Sequence, residues 1–215
     1  MKNTGICMSK EKFIVVEGLE GAGKSTAVNV IKKFLNDQGI EDIVLCREPG
    51  GTKLGETIRD LVKSSSINEN IDSRTELLLM YASRIQLVEN VIKPALAAGK
   101  SVICDRFYYS TYAYQGGGRE ISLDIIDSIH SASLGDFKPD LTIYMDLDPK
   151  IGLQRAAVRG ELDRFEQEKI DFFNKTRDMY LKLADEASEV CKVDASKTME
   201  EVAAQVREML ATAEL

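Results

Sequence analysis

Five short apolar runs punctuate the chain, at residues 13–16, 43–46, 102–104, 141–147 and 190–193, with helical segments between them. Runs this short, without polar alternation, suit strands buried on both faces, and strands that alternate with helices pair in parallel. The pattern therefore predicts an α/β protein with a five-stranded parallel sheet flanked by helices in three layers. Helices are expected at 24–35, where Val28, Ile31 and Leu35 share a stripe and Gly39 provides the stop, and at 54–62, after the Pro49-Gly50-Gly51 turn. A long one at 74–97 carries Leu77, Met80, Tyr81 and Leu87, and others are expected at 121–134, 149–159, 167–187 and 199–210. With no repeat, low-complexity tract or linker, 215 residues at 44% hydrophobic content fit one domain spanning 1–215.

Directly after the first apolar run stands Gly18-Leu19-Glu20-Gly21-Ala22-Gly23-Lys24-Ser25, followed by Thr26. Strand, glycine-rich loop and helix in this order make a cradle for a nucleoside triphosphate. Glycine lets successive N–H groups turn toward phosphate oxygens, and the helix start presents its positive end to the same anion. Lys24 adds a point charge for the β and γ phosphates, and Ser25 a hydroxyl for Mg²⁺. The fold expected is that of the P-loop NTPases, with ATP and Mg²⁺ bound by residues 18–26. The loop alone fits kinases, GTPases, motors and transport ATPases.

Charge and cysteine content narrow the partners. A net charge of −7 argues against a nucleic-acid surface, so cations that hold phosphates should gather in one cleft. Cys7, Cys46, Cys104 and Cys191 are widely spaced and three of them fall in apolar runs, as expected of buried thiols in a reducing compartment. The single histidine, His130, has no companion ligand, which leaves no basis for a transition-metal site. No stretch reaches the length of a membrane span and the N-terminus lacks a signal peptide's apolar core, so a cytoplasmic protein without membrane contact is expected. Met8-Ser9-Lys10 looks like a natural start, with residues 1–7 a dispensable extension.

Two further clusters lie where the second and third strands end, the edge at which parallel sheets collect ligands. Arg47-Glu48-Pro49-Gly50-Gly51 follows one and Asp105-Arg106 the other. Asp105 is placed to hold Mg²⁺, directly or through water, and Arg106 to reach phosphate with a fork of donors. Together with Tyr-Ala-Ser-Arg-Ile-Gln-Leu-Val-Glu at 81–89, Ser-Thr-Tyr-Ala-Tyr-Gln-Gly-Gly-Gly-Arg at 110–119 and Arg-Gly-Glu-Leu-Asp-Arg at 159–164, these motifs resemble the bacterial thymidylate kinases, which phosphorylate dTMP to dTDP with ATP.

The resemblance implies roles. Arg47, Arg59 and Arg106 match residues around the dTMP phosphate, with Pro49 beside them, and Arg84 matches the arginine that donates to a thymine carbonyl. Ser110, Thr111 and Gln115 match polar residues near the base edge, and Tyr114 a ring that crowds a ribose 2′-hydroxyl. Glu20 matches an acidic residue near the sugar 3′-hydroxyl and the metal. A lid at about 155–166 would bring Arg159, backed by Arg155 and Arg164, onto the ATP phosphates, with Asp163 and Glu166 as supporting metal or sugar contacts. Met80 stands where many relatives have a phenylalanine that stacks on thymine, and Tyr81 reads as its core neighbour. A homodimer is implied as well. Two rivals stay open: a kinase for another nucleotide or a nucleoside, and a nucleotide-dependent switch. Against the switch, Asn174-Lys175-Thr176 is followed by Arg177 rather than the aspartate of the guanine-reading motif.

Overall fold

The computed structural model describes residues 11–64, 69–158 and 163–213. The apolar runs become β1 (Phe13–Gly18), β2 (Ile43–Arg47), β3 (Ser101–Asp105), β4 (Leu141–Asp146) and β5 (Val190–Asp194), which pair in parallel in the order β2-β3-β1-β4-β5. β1 is buried along its whole length because both faces are covered. Ile14 and Val16 face one layer, against Ile31 and Leu35 of α1 (Lys24–Asp37) and Val202, Val206 and Leu210 of α9 (Met199–Thr212). Phe13 and Val15 face the other, with Leu87 of α3 (Ser73–Leu87), Phe107, and Tyr180 of α8 (Ile170–Glu186).

The helix stops and starts follow local chemistry. Gly39, at φ 79°, donates to Asn36 O while Ile40 donates to Leu35 O, closing α1 as its sequence predicts. Thr198 and Glu201 bond each other's backbone in a capping box at the start of α9. Asp148 caps α7 (Pro149–Ala157), with Pro149 in its first turn. The remaining predicted helices are α2 (Lys53–Lys63) and α6 (Leu123–Leu134).

Two expectations are corrected and one element is added. The rod expected at 74–97 is not uniformly α-helical: α3 passes through a π-helical turn at Val88–Ile92 into α4 (Lys93–Ala97). The widened turn ends two residues before Pro94, which has no N–H for a regular ladder. A helical segment absent from the sequence reading runs through α5 (Tyr108–Thr111) and a second π-helical stretch, Tyr112–Gly118. Its aromatic and glycine-rich composition is a poor helix former in isolation. Tertiary contacts hold it: Gly117 lies so close to α8 that a Cβ there would sit 2.7 Å from Lys175 O and 2.8 Å from Met179 Cβ. Of the cysteines, Cys104 is buried but Cys46 and Cys191 are only half-buried, since β2 and β5 are edge strands with one side less covered. Cys7 and the expected extension at 1–7 lie outside the described residues.

Candidate active site

The glycines of the phosphate loop are dictated by packing as much as by backbone freedom. Gly18 has φ 141°, and a Cβ there would meet Met145 O of β4 at 2.6 Å; one on Gly21 would run into the Gly152 carbonyl of α7. The loop is thus pinned between β4 and α7. Lys24 Nζ curls back over it, donating to Gly18 O at 3.0 Å and Leu19 O at 2.9 Å. Burial pushes the Lys24 ammonium down to about 8 and Arg106 acts the same way, against the opposing pull of Asp105, Glu20 and Glu17. Arg155 reaches the loop from α7, with Nη1 3.3 Å from Gly21 O.

β3 delivers the next group. Val16 pairs with Asp105 across the β1–β3 ladder, and Arg106 N donates to Val16 O at 2.9 Å, so the chain leaves the sheet beside the loop. Arg106 takes φ 73°, a conformation that costs a residue with Cβ about 1 kcal/mol and is sustained here by its contacts. Its guanidinium donates to Glu20 Oε1 (2.7 Å), Tyr114 OH (3.0 Å) and Ser110 Oγ (3.2 Å), and lies over the Tyr114 ring. Glu20 also accepts from Tyr114 OH at 2.7 Å. Burial pushes the Glu20 carboxyl up, but Arg106 and Lys24 outweigh it and hold the group below the usual carboxylate range. Asp105 keeps Oδ1 buried without a hydrogen-bond partner, an orphaned acceptor next to the loop.

A residue the sequence reading passed over organises the start of α5. Glu17, fully buried at the end of β1, accepts from Phe107 N (2.8 Å), Ser110 N (3.0 Å), Ser110 Oγ (2.6 Å) and Tyr180 OH (2.8 Å). An acid inside an otherwise apolar strand was the available signal.

Beyond Arg106 the cleft continues toward α3. Arg84, 2% exposed, donates through Nε to Glu48 Oε2 (2.6 Å), through Nη1 to Thr111 Oγ1 (2.9 Å) and through Nη2 to Phe107 O (3.2 Å). Arg47 binds Glu56 Oε2 at 2.7 Å, and Arg59 binds Pro49 O at 2.9 Å. Burial depresses the Arg59 guanidinium and so do Arg47 and Arg106, like charges that face a shared space. Met80, Ser110, Thr111, Tyr114 and Gln115 line the same cleft as Glu20, Lys24, Arg47, Pro49, Arg59, Arg84, Asp105 and Arg106. Tyr81 is buried behind it, as its place on the helix predicts.

The expected lid is only partly in view, because Arg159 lies outside the described residues. Arg164, for which the resemblance implies a place near the donor phosphates, is held by two protein acceptors. Its Nη2 meets Glu76 Oε2 in a very short contact and its Nε donates to Val62 O at 2.7 Å, since a buried carboxylate and a helix-end carbonyl are the acceptors within reach. Asp163 pairs with Lys63 at 2.5 Å and accepts from Phe165 N and Glu166 N, which sets Phe165 and Glu166 against the cleft.

A parallel sheet in this order, with a lysine-bearing phosphate loop after β1 and an arginine-lined cleft beside it, defines a P-loop phosphotransferase. Residues 16–206 match the thymidylate kinase family model. Over 203 residues the chain is 52% identical to a thymidylate kinase of Vibrio parahaemolyticus, covering 94% of this chain and 97% of that one, and 51% identical to one of Vibrio vulnificus, covering 94% and 96%. The crystal structure of thymidylate kinase from Ehrlichia chaffeensis superposes with a TM-score of 0.75 at 31% identity, covering 93% of this chain and 98% of that one. The chain therefore belongs to the thymidylate kinase family.

Proposed function

We propose that this chain transfers the γ-phosphoryl group of ATP to dTMP, giving dTDP for dTTP synthesis, with the acceptor base at the Arg84 end of the cleft and the donor phosphates at the loop. The observation that carries the reading is that one cleft is lined by Lys24 and Arg84 together with Arg47, Arg59 and Arg106. Mutually repelling guanidinium groups around a common space suit a dianionic phosphate. The acceptor oxygen is already an anion, so no general base is needed, and the protein's task is alignment and charge stabilisation.

Residues 18–26 cradle the donor, and Lys24 with Arg159 of the lid at 155–166 stabilises charge in the transition state. Glu20 holds Arg106 at the acceptor phosphate and lies near the sugar. Asp105, with its orphaned Oδ1, and Ser25, with its hydroxyl, offer oxygen donors of the kind Mg²⁺ favours, and these two residues would hold it. When bound, the ion would offset charge on the donor phosphates. The Tyr114 ring crowds a 2′-hydroxyl, and Met80 packs on the base through its thioether.

The chain works as one catalytic unit and pairs with a second copy. In support of pairing, α2 leaves Leu54 and Leu61 exposed and α3 leaves Leu78 and Ile85 exposed, each pair on one helical stripe, and α2 packs along α3. No helix among the described residues is long and apolar enough to cross a membrane.

ADP release from Mg-ATP with dTMP, dUMP, dCMP, dGMP or dAMP as acceptor, each against a no-acceptor control, tests the reading. A strong dTMP preference is expected. Comparable turnover of all five would overturn the acceptor assignment and leave the phosphate site intact.

A further inference from the structure

Glu76 of α3 is fully buried, yet it belongs to none of the contacts through which donor or acceptor phosphates are held. Its Oε1 accepts from Gln115 Nε2 at 2.7 Å and from Arg119 Nε at 3.3 Å. Its Oε2 accepts from Arg119 Nη2 at 3.2 Å and from Arg164 Nη2. Arg119 is shared with Glu168 at 2.5 Å, so two acids and two guanidinium groups balance within one cluster. Both arginines lie over aromatic rings, Arg119 over Phe172 at 4.7 Å and Arg164 over Phe165 at 4.5 Å. A carboxylate clamped this way is rigid and presents only acceptor oxygens.

A primary amide beside such a group has one satisfactory orientation, NH₂ toward the carboxylate and carbonyl oxygen away from it. Gln115 lines the cleft. We propose that Glu76 is a specificity-positioning residue: by holding the Gln115 nitrogen, it turns the Gln115 carbonyl oxygen toward the base, where it accepts from a ring N–H. This rests on the dTMP reading given above. Thymine carries a hydrogen on N3 and cytosine does not, so a fixed acceptor favours the first and leaves the second facing a lone pair. Exchanging Glu76 for a neutral amide, which can donate as well as accept, frees Gln115 to flip.

The test is the ratio of dCMP to dTMP dissociation constants, measured calorimetrically on wild type, E76Q, E76D and Q115A, with thermal melts alongside. E76Q and Q115A should each lower the ratio by at least about tenfold, the worth of one buried hydrogen bond to a base. E76D, still acceptor-only, should retain most of it. A general packing defect would weaken both ligands together and leave the ratio unchanged. Should E76Q fail to fold, an unaltered ratio in Q115A still overturns the proposal. If the wild type prefers dTMP and neither variant moves the ratio, this inference alone fails; a wild type that does not bind dTMP overturns the function reading and the inference with it.

Discussion

Arg84 Nε meets Glu48 Oε2 at 2.6 Å, with both side chains almost wholly removed from solvent and Glu48 Oε1 left without a partner. The carboxylate fixes the plane of the guanidinium whose other two nitrogens reach Thr111 and Phe107 O. Burial pushes the Glu48 carboxyl up to about 7, only partly offset by Arg84. The group thus takes up a proton near pH 7 in the native state and only near its ordinary value when unfolded. Its cost to stability is felt above pH 7 and lifts as pH falls toward 4.5. Site geometry responds oppositely, because protonation removes the charge that holds Arg84. Affinity for thymidine, which carries no titrating phosphate, should fall as pH drops through about 7. In E48Q it should be about tenfold weaker and flat with pH. A wild-type profile flat from pH 6 to 8 would overturn this account.

Lys24 gives a pH dependence at the other end. Its folded value of about 8 lies below the ordinary 10.5, so between these the native protein binds fewer protons than the unfolded chain and stability rises with pH. ATP affinity should do the reverse and weaken as the ammonium is lost above about pH 8. K24A should lower kcat by about a thousandfold with the melting temperature nearly kept. Undiminished phosphoryl transfer by that variant would remove Lys24 from the mechanism.

Asp105 Oδ1 has no protein partner to lose, so D105N should fold normally while raising the Mg²⁺ concentration for half-maximal turnover by about tenfold or more. Chelation by EDTA should abolish wild-type turnover and added Mg²⁺ should restore it. An unchanged Mg²⁺ titration in D105N would place the ion elsewhere.

Gly117 is close against α8, and G117A should cost about 1–3 kcal/mol in chemical denaturation because backbone at Lys175 cannot yield as a flexible side chain would. A loss below about 0.5 kcal/mol, the usual scale of a neutral surface change, would show that the helical segment at 112–118 shifts freely.

For the proposed pairing surface, the wild type should sediment as a dimer in analytical ultracentrifugation and L78K and I85K together should leave a monomer, since both side chains are exposed on one face of α3. A double variant that sediments as the wild type does would exclude this face.

Much of this protein was determined by sequence alone, because the signals are local. Uninterrupted apolar runs specify strands covered on both sides, Gly39 specifies a helix end, and the glycines, Lys24 and Ser25 specify a phosphate loop whatever surrounds them. Family motifs extended that reading to Arg47, Arg84 and Arg106, whose cleft the fold assembles from the ends of β2 and β3 and the middle of α3. Tertiary structure decided the rest. The helix through 108–118 exists because Glu17 caps its start and α8 packs along its glycines, against its own propensity. Arg164 pairs with Glu76 because a buried carboxylate lies within its reach. Glu17, Glu48 and Glu76 acquire their roles only when residues 36 to 163 positions away come within hydrogen-bonding distance. Sequence fixes which groups a chain possesses, but the environment of a buried charge is a property of packing, and packing chose its partners.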